Sequence, residues 1–191
     1  YTRIHTLSLH DALPISIRMF AELAGRIGRM GDAETLLRGA LEIGPGFTPA
    51  RANLALVLYR QNRPAEAIEE LGRVLAEEPD NPGHANLQAA ALGRVGEFDD
   101  ALTLYAQVLE QAPNQPRVWM SYGHMLKTVG RQADGIEAYR KALNLMPALG
   151  EAWWSLANLK TVKFTDTDIA AMETALAGDG LAREDRFHLD F

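Results

Sequence analysis

Three arginines, Arg26, Arg60 and Arg94, recur at intervals of 34 residues. A planar guanidinium repeated along one edge of a structure can grip carboxylates through paired hydrogen bonds. Lys127 stands one place before Thr128, where a fourth member of the ladder falls. Such a basic ladder suits an extended acidic peptide. A solvent-facing edge that prefers long polar side chains is the simpler reading of the same column, and both stay open at this level. Tyr59, Met120, His124, Trp154 and Asn158 fall on the same predicted face, where they add stacking and hydrogen-bonding groups.

Other arrangements that carry chemistry are thin. The run GRIGRMG at Gly25–Gly31 spaces glycines three apart, but no strand precedes it, as a nucleotide-binding loop requires. There is no GxxxxGK[ST], HExxH, GxSxG or calcium-loop pattern. His84, His124 and His188 have no companions at metal-ligand spacing. The acidic groups Glu66, Glu69, Glu70 and Glu77, Glu78, Asp80 fall on predicted second helices or their ends, where solvated charge is expected. No catalytic residue, cofactor or metal is therefore assigned.

Composition narrows the partners. The 191 residues carry a net charge of −6 and are 47% hydrophobic, enough apolar content for a compact domain or a short repeat array. The acidic balance offers no field for gathering phosphates, so neither nucleic acid nor an anionic membrane is expected as a partner. Cysteine is absent, which excludes disulfides and thiolate chemistry and fits a reducing compartment. A cytoplasmic location is the expectation. No apolar run approaches the roughly 20 residues that span a bilayer, and no secretory pattern opens the chain.

The elements that must position these residues show themselves by their period. Pro45, Pro79, Pro113 and Pro147 lie 34 residues apart. So do Ala33, Ala67, Ala101 and Gly135, and so do Ala21, Ala55, Ala89, Gly123 and Ala157. Gly28, Asn62, Gly96 and Gly130 form a further column, and Leu37, Leu71, Tyr105 and Tyr139 another. Within each period two helical patterns, for example Arg117–Val129 and Ala133–Leu145, meet at a Gly or Asn. That residue suits a left-handed exit from the first helix. Proline ends the second helix, because it lacks an amide hydrogen. The small columns let two helix backbones approach, and the Leu/Tyr column and Trp119 and Trp153 are expected to fill space between hairpins. A single hairpin cannot bury its apolar face, so about three or more must stack.

The segment VWMSYGHMLKTVGRQADGIEAYRKALNLMP resembles the tetratricopeptide repeat consensus along its length, and weaker copies cover residues 17–147. The resemblance implies an all-α fold: helical hairpins stacked in a right-handed superhelix, an α-solenoid. First helices would line a concave groove and second helices would face outward. Four repeats are expected at 14–47, 48–81, 82–115 and 116–149. A partial fifth repeat, a capping helix and a truncated linker follow over 151–191, with Asp166 or Thr167 as a cap and residues 168–177 as the closing helix.

Residues 1–16 share no period with the rest. Thr6–Ser16, reverse-translated, resembles a widely used short-read sequencing adapter over eleven consecutive residues, so this leader is set aside from functional reasoning. A disordered native leader is the alternative, and repeat one loses its entry to it. The primary expectation for function is a protein-interaction scaffold binding a peptide, acidic by the ladder reading, or a partner domain in the groove. The alternative comes from EAWWSLANLKTVKFTDTDIAAMETALA and EDRFHLDF, which look like the end of the repeat region in bacterial tetratricopeptide-repeat sulfotransferases. This fragment would then be the regulatory or substrate-binding arm of an enzyme whose catalytic domain lies beyond Phe191. No residue matches that family's PxSGTT-like loop. Self-association through exposed array ends is a third expectation.

Overall fold

A computed structural model describes residues 9–190. They form eleven helices and, among the described residues, no strand. The chain divides between Glu97 and Phe98 into two compact units. Unit one holds α1 (Leu9–Arg26), α2 (Met30–Ile43), α3 (Thr48–Arg60), α4 (Pro64–Glu77) and α5 (Pro82–Val95). Unit two holds α6 (Phe98–Gln111), α7 (Pro116–Thr128), α8 (Gln132–Leu145), α9 (Gly150–Asn158), α10 (Asp166–Ala177) and α11 (Arg183–Leu189).

The turn column does what its residue types require. Gly28, Asn62, Gly96 and Gly130 have φ of 82°, 61°, 93° and 83°. After each, the next amide donates back to the carbonyl five residues earlier: Arg29 to Ala24, Arg63 to Leu58, Glu97 to Leu92 and Arg131 to Leu126, all at 2.9–3.0 Å. This is the Schellman closure, which satisfies helix-end carbonyls that would otherwise lack partners. Asn62 fits because asparagine tolerates the left-handed region better than most side chains.

The small columns seat the hairpins. Ala21 and Ala33, then Ala55 and Ala67, are completely or almost completely buried where α1 meets α2 and α3 meets α4. In the α7–α8 hairpin both positions are glycine: Tyr139 takes the room beside Gly123, and the close helix backbones take it beside Gly135. A Cβ on Gly123 would stand 2.8 Å from the Tyr139 ring, and one on Gly135 would stand 3.2 Å from the Gly123 carbonyl oxygen. Leu37, Leu71, Tyr105 and Tyr139 are all at most 1% exposed.

Three expectations need correction. The first concerns the entry to repeat one. Residues 1–8 of the leader lie outside the described part, but residues 9–16 extend α1, with Pro14 buried inside the helix against Gly44. Repeat one thus has a full first helix. The second concerns the acidic groups. Glu66 and Glu70 are not simply solvated: Arg63 pairs with Glu66 at 2.6 Å and with Glu34 at 2.7 Å, and Arg51 pairs with Glu70 at 2.7 Å. These pairs stitch α4 to α2 and α3. The third concerns α10. Its cap is Thr165, whose hydroxyl accepts from the Asp168 amide at 3.2 Å while Asp168 accepts from the Thr165 amide at 2.9 Å, a capping box. Asp166 and Thr167 already lie within the helix.

The repeat rule fails after α9. Helix α9 stops at Asn158, and Lys160 turns the chain at φ 57°, four residues before the column position. No second helix follows in register, so Ala157 is exposed although its column is buried elsewhere. Arg140 holds Asp168 through both oxygens, at 2.5 and 3.1 Å, tying α10 to α8.

Candidate interaction surface

In unit one, α1 and α3 flank a cleft of about 290 Å³ lined by Glu22, Arg26, Asn53, Leu56, Val57 and Arg60 among others. Arg26 and Arg60 are exposed at its lip, near the ends of their helices. Among the described residues no carboxylate pairs with either. Glu22 on the same lip is 3.6 Å from Arg18.

Arg94, the third rung, behaves differently. Its guanidinium lies 3.9 Å above the Tyr59 ring and donates to the Tyr59 carbonyl at 3.0 Å. Two residues expected to be binding groups are therefore engaged with each other, a cation–π contact joining α5 to α3.

In unit two the face predicted from His124 and Met120 is mostly committed to the fold. Met120 is 7% exposed and belongs to the apolar core with Tyr139, Trp153 and Leu156. Its column position is turned inward here, so it does not offer a groove contact. His124 Nδ1 lies 2.9 Å from the Tyr139 hydroxyl, and its Nε2 lies 3.5 Å from Glu151. The arrangement that satisfies both has Tyr139 donating to Nδ1 and the Nε2 hydrogen facing the carboxylate. One imidazole thus links α8, α7 and α9. His124 holds the Glu151 carboxyl below its usual range against the opposing effect of burial, helped by the fields of His188 and Arg117. Burial pushes the Tyr139 phenol up to about 12, with Ser155 opposing and Glu151 adding to the rise.

Lys127 is exposed at the end of α7. Trp154 and Asn158 lie farther along, on a cleft of about 360 Å³ shared with Trp153, Phe164, Met172 and His188. Trp154 remains 45% exposed, its ring 5.6 Å from that of His188. The nine candidates therefore fall into an open pair, a stacked pair, a buried residue, a bridging histidine, a lone lysine and an aromatic cleft.

Sequence reasoning missed a set of latches. Trp119 donates its indole hydrogen to the Pro113 carbonyl at 2.7 Å, and Trp153 donates to that of Pro147 at 2.9 Å. Arg51, in the same column, donates to the Pro45 carbonyl at 2.7 Å. The third repeat has Ala85 there, with no donor to offer. The two tryptophans are visible as a column, but large rings at that spacing signal packing and say nothing of their indole hydrogens. Trp119 also floors a cleft of about 400 Å³ against α6 and α8, with the Lys141 ammonium 4.5 Å above its ring.

Repeated helical hairpins closed by glycine turns define a solenoid of interaction-type repeats, and comparison with known proteins agrees. Two family models, each described as tetratricopeptide repeat, match residues 28–91 and 86–157, and the chain belongs to that family. The uncharacterized protein y4yS of Sinorhizobium fredii (strain NBRC 101917 / NGR234) is 40% identical over 80 residues, covering 42% of this chain and 44% of that protein. The match thus spans less than half the length of this relative. Among solved structures, TTC0263, a thermophilic TPR protein of Thermus thermophilus, superposes with a TM-score of 0.72 at 18% identity, over 93% of this chain and 97% of its own. MamA 41-end from Desulfovibrio magneticus RS-1 gives 0.68 at 19% identity, over 88% and 92%. These likenesses show the fold. None of these matches concerns a sulfotransferase, so that relationship rests on the junction sequence alone.

Proposed function

We propose that the chain is a protein-interaction scaffold whose first-helix face holds a peptide or partner domain, with the unit-one cleft taking acidic side chains. The observation that carries this reading is the pair Arg26 and Arg60 at the lip of an open cleft, with no carboxylate partner among the described residues. Desolvated guanidinium–carboxylate contacts are the strong, orienting kind. Fluorescence anisotropy with a labelled oligoglutamate peptide tests it. Binding should weaken as salt rises and drop about tenfold or more in the Arg26→Glu/Arg60→Glu variant, about 1.4 kcal/mol. Equal affinity in wild type and variant removes the ladder from the account.

A second reading, self-association, is favoured by α1. Phe20 and Leu23 are 64% and 55% exposed, whereas Leu54 and Val57, one period later, are 1% and 7% exposed. The stacking face of the array is thus uncovered on α1. Sedimentation should show assembly that Phe20→Glu abolishes, and a monomer at high concentration contradicts it. The sulfotransferase arm is decided by the reading frame past Phe191: a PxSGTT-like loop there supports it, and a stop codon ends it.

A further inference from the structure

We infer that α11 is a detachable clasp: the α9 end of unit two is a docking site for a short helix that presents one aspartate to the start of α9, filled by α11 and open to a partner helix of the same pattern when α11 leaves. The start of α9 departs from its column. Thr48, Pro82 and Pro116 open the preceding first helices, and Gly150 opens this one. The reason is α11. A Cβ on Gly150 would stand 2.9 Å from the carbonyl carbon of Asp185, so only glycine admits the α11 backbone there. Gly150 also keeps the amide hydrogen that proline lacks, and donates it to Asp185 Oδ1 at 3.0 Å.

Three residues on one side of α11 make the contact. Asp185, 7% exposed, caps α9, whose own cap residue Leu149 supplies no side-chain acceptor. A carboxylate is favoured at that helix end by the unpaired amides and the helix dipole. Three residues on, His188 sets its ring against Trp154. One further, Leu189 packs against the core around Trp153. The spacing i, i+3, i+4 is a single helix face, and the pattern a partner must present is Asp-x-x-aromatic-Leu.

The attachment is close but buries few side chains. Among the residues of α11 Asp185 alone is buried, Phe187 is 61% exposed, and α10, which precedes it, buries none of its residues. A segment with so few buried apolar contacts opens at a small fraction of the global unfolding free energy. Trp154, already 45% exposed, and the cleft that His188 and Leu189 help to wall are the surface that opening uncovers further.

The probe is a labelled peptide with the sequence of residues 181–190, titrated against full-length chains. Wild type should bind it weakly, since α11 competes at high effective concentration. Asp185→Ala/Leu189→Ala, which loosens the resident helix without changing any α9 residue and leaves the Gly150 amide free for the peptide's aspartate, should bind it at least tenfold more tightly. Adding Gly150→Pro should abolish that binding while helical circular dichroism is retained, because proline already opens α5 and α7. Hydrogen exchange on wild type supplies an arm that needs no variant: α11 amides should exchange far earlier than those of α7 and α8. The inference is overturned if α11 exchanges only with α8, if the folded loosened variant fails to bind the peptide, or if the variants dimerise by exchanging α11.

Discussion

The first-helix faces of the two units occupy equivalent columns of the repeat and have different chemistry. In unit one, Arg26 and Arg60 border an open cleft and have no carboxylate partner among the described residues. In unit two, His124 is held by Tyr139 and Glu151, and Trp154 faces His188 of the chain's own α11. Position follows from the 34-residue period. Availability follows from what each side chain touches, which the period does not encode.

The comparison is broken most severely at the hairpin that positions His124. Gly123→Ala drives a methyl group into the Tyr139 ring, and overpacking of this kind costs about 1–3 kcal/mol. Chemical denaturation should show that loss. Tyr139→Leu, which restores the Ala/Leu pairing of the first two hairpins, should recover part of it in a double-mutant cycle. An effect equal in both backgrounds contradicts the packing account.

A smaller effect is expected at the latches. Trp153→Phe keeps one aromatic ring, loses the indole hydrogen and orphans the Pro147 carbonyl; the lost bond should cost about 1–2 kcal/mol, with the smaller ring adding to it. The same change at Trp119 should cost less, since that residue is only half-buried and water reaches the freed carbonyl. Equal losses at the two sites would remove burial as the explanation.

Smaller still are the charge effects, and their sign is set. Arg38 and Arg63 hold Glu34 below its usual range despite burial, and Arg140 with Thr165 does the same for Asp168, again against burial. A depressed carboxyl contributes stability above its unfolded pKa and loses it as pH falls through the folded one. Melting temperature should therefore fall below about pH 4, and Asp168→Asn should flatten that fall. Tyr139 has the opposite sign: its raised pKa contributes below pH 10, and that contribution is lost as pH rises through about 12. Ultraviolet titration should find Tyr139 ionising late, and Tyr139→Phe should remove the late component.

The hairpins are legible in the sequence because proline, glycine and alanine columns each report a backbone demand that only a few residue types meet. Met120, Arg94 and Tyr59 depart from the groove expectation for one physical reason. A column locates a Cα on the helix, while burial and stacking depend on neighbours contributed by other helices, such as Tyr139 on α8 and the ring of Tyr59 beneath Arg94. The α11 contact left one trace in the sequence, Gly150 in a column otherwise threonine or proline. That trace is readable once the partner backbone is seen.

The most direct test of the open-versus-engaged contrast is amide chemical-shift mapping of the full chain titrated with oligoglutamate at low salt. Perturbations concentrated on α1 and α3 around Arg26 and Arg60, and lost in the double charge reversal, are the predicted result. Perturbations confined to α7 and α9, or spread over α2 and α4, would contradict it.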